Sequence, residues 1–229
     1  MGGLRDGAMK LNRVLTSPAE TPAEIPLFPL EGALLLPRRP IQLTVFEPRY
    51  LEMLDDALAG ERLIGIIQPT EPETHSHAPA LYGVGCLGRI VQFAEVGDGR
   101  CFLSLMGVSR FRLGAERETG KPYRVATVDY APFADDFVEG KGQEGVDRDG
   151  LLSTLRRYAD ARDVKVAWND VKSAANEALV NALSMMSPCG PREKQALLEA
   201  ADLRTRADML VAITTIDLAR SADSPSHLH

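Results

Sequence analysis

Between residues 24 and 130 the apolar positions come in short runs, several with a period of two, whereas beyond residue 150 they return every three or four residues. Side chains alternate across a strand and revisit one face of a helix after 3.6 residues, so this switch predicts a strand-rich first half and a helical second half. Ile25, Leu27, Phe28 and Leu30 form a first run punctuated by prolines; Ile41, Leu43 and Val45 then alternate with Gln42 and Thr44 before Phe46. Two strands joined by a proline-rich loop are expected there. Glu47-Pro48 puts a proline at a first helical position, and Leu51, Leu54 and Leu58 follow at helical spacing until Gly60, which predicts one short amphipathic helix. Residues 63–67 read as a buried strand, residues 81–96 and 100–113 as two strands around the hairpin signal Gly97-Asp98-Gly99, and residues 123–130 as one more. Strands with a single helix must hide their edges, which predicts a small closed or nearly closed β-barrel.

The same pass divides the chain. Residues 1–23 are polar and aperiodic, with Ser17-Pro18 and Thr21-Pro22, and are expected to be a flexible tail ahead of a barrel subdomain over 24–132. Residues 133–150 carry Asp135, Asp136, Glu139, Glu144, Asp147 and Asp149 against only Lys141 and Arg148, with three glycines between, and read as an acidic linker. A helical subdomain then fills 151–221: Leu151, Leu152, Leu155 and Tyr158 on one helix, Val171 to Met186 on another, a short helix from Pro191, and a last stripe of Met209, Leu210, Ile213 and Ile216. Residues 222–229 read as a second flexible tail. The fold class expected is α+β.

Composition narrows the function more than it names it. The 26 Lys and Arg against 32 Asp and Glu leave a formal charge of −6, which repels phosphate backbones. The imbalance has no basic half to offset it: residues 1–150 hold 16 basic and 22 acidic groups, and 151–229 hold 10 of each. Nucleic-acid binding is disfavoured. No run reaches the ~18 apolar residues that a membrane-spanning helix needs, no secretory leader pattern opens the chain, and the three cysteines lack any CxxC spacing, so a reducing cytoplasm is the expected setting. Gly83-Val84-Gly85-Cys86-Leu87-Gly88 matches a dinucleotide-binding fingerprint in letters, but a strand pattern follows where a helix must open, so the glycines read as strand positions that allow a bulge or close packing. No phosphate-binding loop occurs, and no cofactor is expected. Glu71, Glu73, His75 and His77 have the spacing of metal ligands on an extended segment, yet Pro72 and the polar surroundings favour a solvated loop. Cys86 and Cys101 read as small core residues, and Met185, Met186 and Trp168 as core residues of helices.

A series of motifs then fits one family. Ile25-Pro26-Leu27-Phe28-Pro29-Leu30, Leu36-Pro37, Phe46-Glu47-Pro48-Arg49-Tyr50, Tyr82-Gly83-Val84-Gly85, Gly107-Val108-Ser109-Arg110-Phe111 and, further on, Pro191-Arg192-Glu193-Lys194-Gln195 together resemble the N-terminal domain of the ATP-dependent Lon protease, over about residues 24–220. The resemblance implies a PUA-like β-barrel (pseudobarrel) followed by a C-terminal helical bundle, a non-catalytic module that recognises protein substrates. The family's full-length enzymes carry an ATPase and a Ser/Lys protease; this chain ends at His229, and the expectation is a protein without peptidase activity of its own. Its expected partners are unfolded or client proteins and a separate ATPase or protease. RNA binding, which PUA-like barrels also suggest, is the alternative. Phe28, Arg49, Tyr50 and Met106 are the candidate contact residues, since Arg and Tyr are enriched in binding surfaces. If they form such a surface, Arg49→Ala combined with Tyr50→Ala weakens client binding and leaves Tm nearly unchanged, whereas a large loss of stability in a melt assigns them to the core.

Overall fold

The computed structural model describes residues 14–71 and 79–223. Six strands appear where period-two runs predict them: β1 (Glu24–Pro29), β2 (Pro40–Val45), β3 (Leu63–Ile67), β4 (Val84–Gly97), β5 (Arg100–Arg117) and β6 (Arg124–Asp129). The hairpin is formed as expected. Gly97 pairs with Arg100 around Asp98 and Gly99, whose φ values of 52° and 67° meet the demand of a two-residue turn for two left-handed positions. The sheet is mixed, in the order β2-β5-β4-β3-β1-β6, and β6 also pairs with the end of β5. The expectation is a closed or nearly closed barrel; the sheet is not a closed one. At 18 residues β5 is long enough to hold β2 along Cys101–Met106 and β6 along Arg112–Arg117, so β2 sits on the outer side of β5 and keeps an edge without a strand partner. Register shifts in β4 and between Leu113 and Glu116 of β5 supply the bends.

Both faces of this sheet are buried, and the period of two decides which core each side chain enters. Ile25 and Leu27 of β1, Leu63 and Ile67 of β3, and Phe111 of β5 fill one cluster, joined by half-buried Leu15 from the segment expected to be a tail. Phe28, Ile64, Ile66, Leu103 and Leu105 point the other way into a larger cluster. That cluster continues without a break through α1 (Pro48–Ala59) into α2 (Arg148–Arg162), α4 (Asn176–Met186), α5 (Pro191–Glu199) and α6 (Leu203–Asp223). In α1 the buried stripe is Tyr50, Met53, Leu54 and Ala57, with Gly60 capping the end by donating to Asp56 O at 3.0 Å. Gly107 is required where the chain crosses β5, because a Cβ there would overlap the Leu36 carbonyl.

The stretch expected as a solvated linker is instead a clamp. Residues 131–137 form a short 3₁₀ helix against β5, and the buried Asp136 accepts from the backbone N–H, Nε and Nη2 of Arg110, each at 2.9 Å. Arg110 Nη1 donates to the carbonyls of Leu198 (3.1 Å) and Ala200 (2.6 Å) at the C-terminal end of α5, and its guanidinium lies 4.5 Å from the Phe133 ring centroid. Arg38 joins the group, donating to Asp136 O and pairing with Glu177 of α4, whose other oxygen accepts from Gly140 N at 2.6 Å. Composition counts Asp136 among solvated acids; the arginine that claims it lies 26 residues away in sequence. Asp147 still behaves as its sequence position suggests, capping α2 by accepting from Gly150 N at 3.0 Å. Asp136→Ala strands a buried guanidinium and is expected to cost about 3–5 kcal/mol, read as a lowered urea midpoint, while Asp135→Ala, one residue away and exposed, is expected to stay within about 0.5 kcal/mol of the parent.

Candidate protein-binding groove

The residues chosen from sequence do not converge. Phe28 and Tyr50 are 4% and 5% exposed, with ring centroids 4.4 Å apart at 41°, so they are core and offer no contact surface. Arg49 is half-buried beside them, held by Glu47 at 2.8 Å and lying 4.5 Å from the Tyr50 ring centroid. Met106 is elsewhere, half-buried in β5 between Pro40 of β2 and Arg89 of β4. A proline-punctuated apolar run gives no sign of which residues face outward when both sides of the sheet are covered.

A sizeable concavity lies among the helices, where sequence reading places only core. α2 ends at Asp163, which takes the left-handed conformation (φ 51°) while Val164 N donates back to Ala159 O at 2.9 Å. The chain then runs through Val164 to Ala167 before α3 (Trp168–Ser173) and α4 begin. This strap bridges α2 and α3 without filling the space beneath. Ala159 of α2 and Ala182 of α4 face that space with methyl groups only, and a groove of about 470 Å³ remains between α2, the strap, α4 and α6. Leu151, Leu179 and Leu210 form its floor, continuous with the main core. Val164, 48% exposed, and Met186, 79% exposed, stand on its rim. Lys165 and Asp170 are the only charged groups in its lining; Thr154, Thr214 and Ser187 add hydroxyls.

One end of the groove opens into a second recess of about 250 Å³ that shares Tyr158, Ser187, Pro188 and Thr214 with it. Here the walls are polar, with Glu193, Asp217 and Arg220, and Arg162 pairs with Asp217 at 2.7 Å across the mouth. The result is an apolar trough with a charged end, within the ~300–1,000 Å³ range of natural binding pockets. It suits burial of apolar side chains from a ligand whose polar parts stay at the mouth. Val164 and Val166, alternating just after a helix, were the sequence signal; Met186, expected in the core, is instead exposed on the rim, while Met185 and Trp168 are only half-buried, Trp168 under Arg156 at 5.4 Å.

Reactive chemistry finds little support. Burial pushes the thiols of Cys86 and Cys101 upward in pKa, which holds both as inert thiols. Of the Gly83 to Gly88 segment, Val84 to Gly88 are strand, and Gly85 packs so closely on Phe111 and Ile66 O that no side chain fits. Glu73, His75 and His77 of the metal-spaced loop lie outside the described residues; among those described, no group of three potential ligands could hold a metal ion. No described helix is long and apolar enough to cross a membrane.

The family model described as the ATP-dependent protease La (LON) substrate-binding domain matches residues 24–215. The chain is 26% identical over 210 residues to Lon protease 2 of Myxococcus xanthus and 25% identical over 218 residues to the Lon protease of Dictyoglomus thermophilum, matching 87% and 90% of this chain. It spans about a quarter of the length of these curated relatives, 24% and 26%. Among solved structures, the N-terminal domain of the Mycobacterium avium complex Lon protease superposes with a TM-score of 0.61 at 20% identity, covering 90% of this chain and all of that one. A Lon N-terminal domain protein from Xanthomonas campestris gives 0.59 at 24% identity, over 82% and 97% of the two chains. Truncating Tyr50 to Ala is expected to cost about 3 kcal/mol in a urea melt, and Met186→Ala to change stability by under about 0.5 kcal/mol, which separates the core pair from the groove rim.

Proposed function

This chain belongs to the ATP-dependent protease La (LON) substrate-binding domain family, and from that membership we propose that it is a non-catalytic module that captures exposed apolar segments of client proteins in the groove beneath residues 164–167. The observation that carries the reading is the groove itself: an apolar trough with an uncharged floor on a chain of a substrate-binding family. Binding would draw on apolar area removed from water, about 25 cal/mol per Å². Polar groups at the Glu193 and Asp217 end would orient the segment without adding much affinity.

In this proposal the sheet is a PUA-like pseudobarrel and α2–α6 are the helical bundle that presents the site. The module works in proteolysis or quality control, delivering clients to an ATPase or protease carried on another part of the same protein or on a separate one. All three cysteines are free, which suits the reducing cytoplasm as its setting. No peptide-bond chemistry is assigned to it.

The test is fluorescence anisotropy with a labelled apolar peptide of about a dozen residues, long enough when extended to cross the trough. The parent chain is expected to bind saturably, and Val164→Asp with Met186→Asp to weaken binding at least about tenfold; both side chains are exposed, so the fold is kept. Binding that survives the double substitution removes the groove from the reading.

A further inference from the structure

Among the described residues, β2 is the strand of the sheet paired on one side only. Gly107 N donates to Arg39 O at 2.9 Å across the Pro40–Met106 pair, which fixes the parity of the ladder. Ile41, Leu43 and Val45 turn their backbone groups to β5, while Pro40, Gln42 and Thr44 turn theirs away. Pro40, which has no N–H, therefore sits where its lack costs the sheet nothing. Gln42 and Thr44 are exposed, and none of the described residues bonds to their outward groups. Natural sheets blunt such edges with lysines, bulges or a covering element. From Ile41 to Val45 this one has no charge and no register shift, and Phe46, 63% exposed, follows directly.

We propose that this edge is a dimer contact: β2 pairs antiparallel with β2 of a second copy of the chain, about a two-fold axis at Leu43. The parity requires Gln42 and Thr44 to exchange hydrogen bonds with the partner, and three registers meet that requirement. With Leu43 opposite Leu43 of the partner subunit, Ile41 faces Val45 of the partner subunit, Gln42 faces Thr44, and Pro40 faces Phe46. Arg39, whose side chain pairs with no described residue, then faces Glu47 of the partner subunit at both ends of the contact. Glu47 already holds Arg49 and keeps 42% of its side chain exposed, enough to meet a second cation. Sliding by one step either way sets Arg39 against Val45 or Ile41 against Glu47, losing both ion pairs. Charge and side-chain type thus select one self-complementary register, which is what a two-fold contact demands and what an arbitrary client strand would not need. None of these residues lines the groove, so the dimer and the binding reading stand or fall separately.

A single strand pair covers less than the ~1,200 Å² of a standard interface, so the dimer is reversible. Sedimentation velocity of the whole chain from about 5 to about 500 μM, spanning the weak range of association, is the test. The parent is expected to move from monomer toward dimer across that range. Thr44→Pro removes an amide that β5 does not use and is expected to give a monomer throughout with a nearly unchanged melting temperature. Arg39→Glu and Glu47→Arg are each expected to weaken the dimer at least about tenfold, and the two together in one chain to restore it. A parent that stays monomeric, a dimer that survives Thr44→Pro, or a charge swap that fails to restore association overturns the proposal. A monomer whose edge instead binds an extended peptide, lost in Thr44→Pro, also overturns it and gives the edge to clients.

Discussion

Arg110 is a cation placed inside the protein, and the fold is arranged to keep it there. A guanidinium removed from water is tolerated only when nearly all of its donors find acceptors. Asp136 supplies the charge and accepts from Nε and Nη2, and the carbonyls of Leu198 and Ala200 accept from Nη1, so four of the five hydrogens are taken. Those acceptors come from two separate stretches of chain, so satisfying one side chain of β5 fixes the 131–137 turn and the exit of α5 together. Arg206 of α6 is a second buried guanidinium, less fully satisfied: it bonds to Leu197 O and Asn181 Oδ1 while its Nη2 finds no acceptor among the described residues, and burial lowers its pKa to about 10. The strand half and the helical half are therefore one body. Their shared core says the same: Leu103 of β5 and Leu197 of α5 belong to one apolar cluster.

Gln68 makes a second, neutral junction of the same kind. Its side chain accepts from Gly32 N and donates to Pro191 O and Gln195 Oε1, and Gln195 in turn donates to Val84 O. Because the helices are anchored at two points, the groove between α2, α4 and α6 is a fixed feature of the scaffold. Preorganisation of that kind lowers the ordering cost of binding.

What could be read in the sequence was what local rules determine. β3 and the Asp98-Gly99 turn fall where period and turn chemistry put them, and Pro48 and Gly60 bound α1 as their backbone preferences dictate. The helical stripe from Val171 to Met186 was less legible: it breaks at Ala174 and Ala175 into α3 and α4, and alanine gives no signal of a break. Partnerships across long separations were not legible at all. Nothing near Asp136 announces Arg110, and nothing in Phe28 or Tyr50 says that the apolar face beside β1 is covered by α1. The groove escaped notice because it is made by what is small: Ala159 and Ala182 look like ordinary helix formers until the space over them is seen.

The spacing of Arg110 from its acceptors also sets a timetable. Ala200 is made 90 residues after Arg110, which at ~5–20 residues per second means roughly 5–20 s on the ribosome. During that interval β4, β5 and β6 can pair, but Arg110 lacks two of its carbonyls and the outer face of the sheet lacks most of its helices. The nascent strands must wait with apolar surface open, and the segment that completes them emerges only after all six strands. On the proposed reading, a module that captures the exposed apolar segments of others passes, during its own synthesis, through a stage in which it presents the same kind of surface.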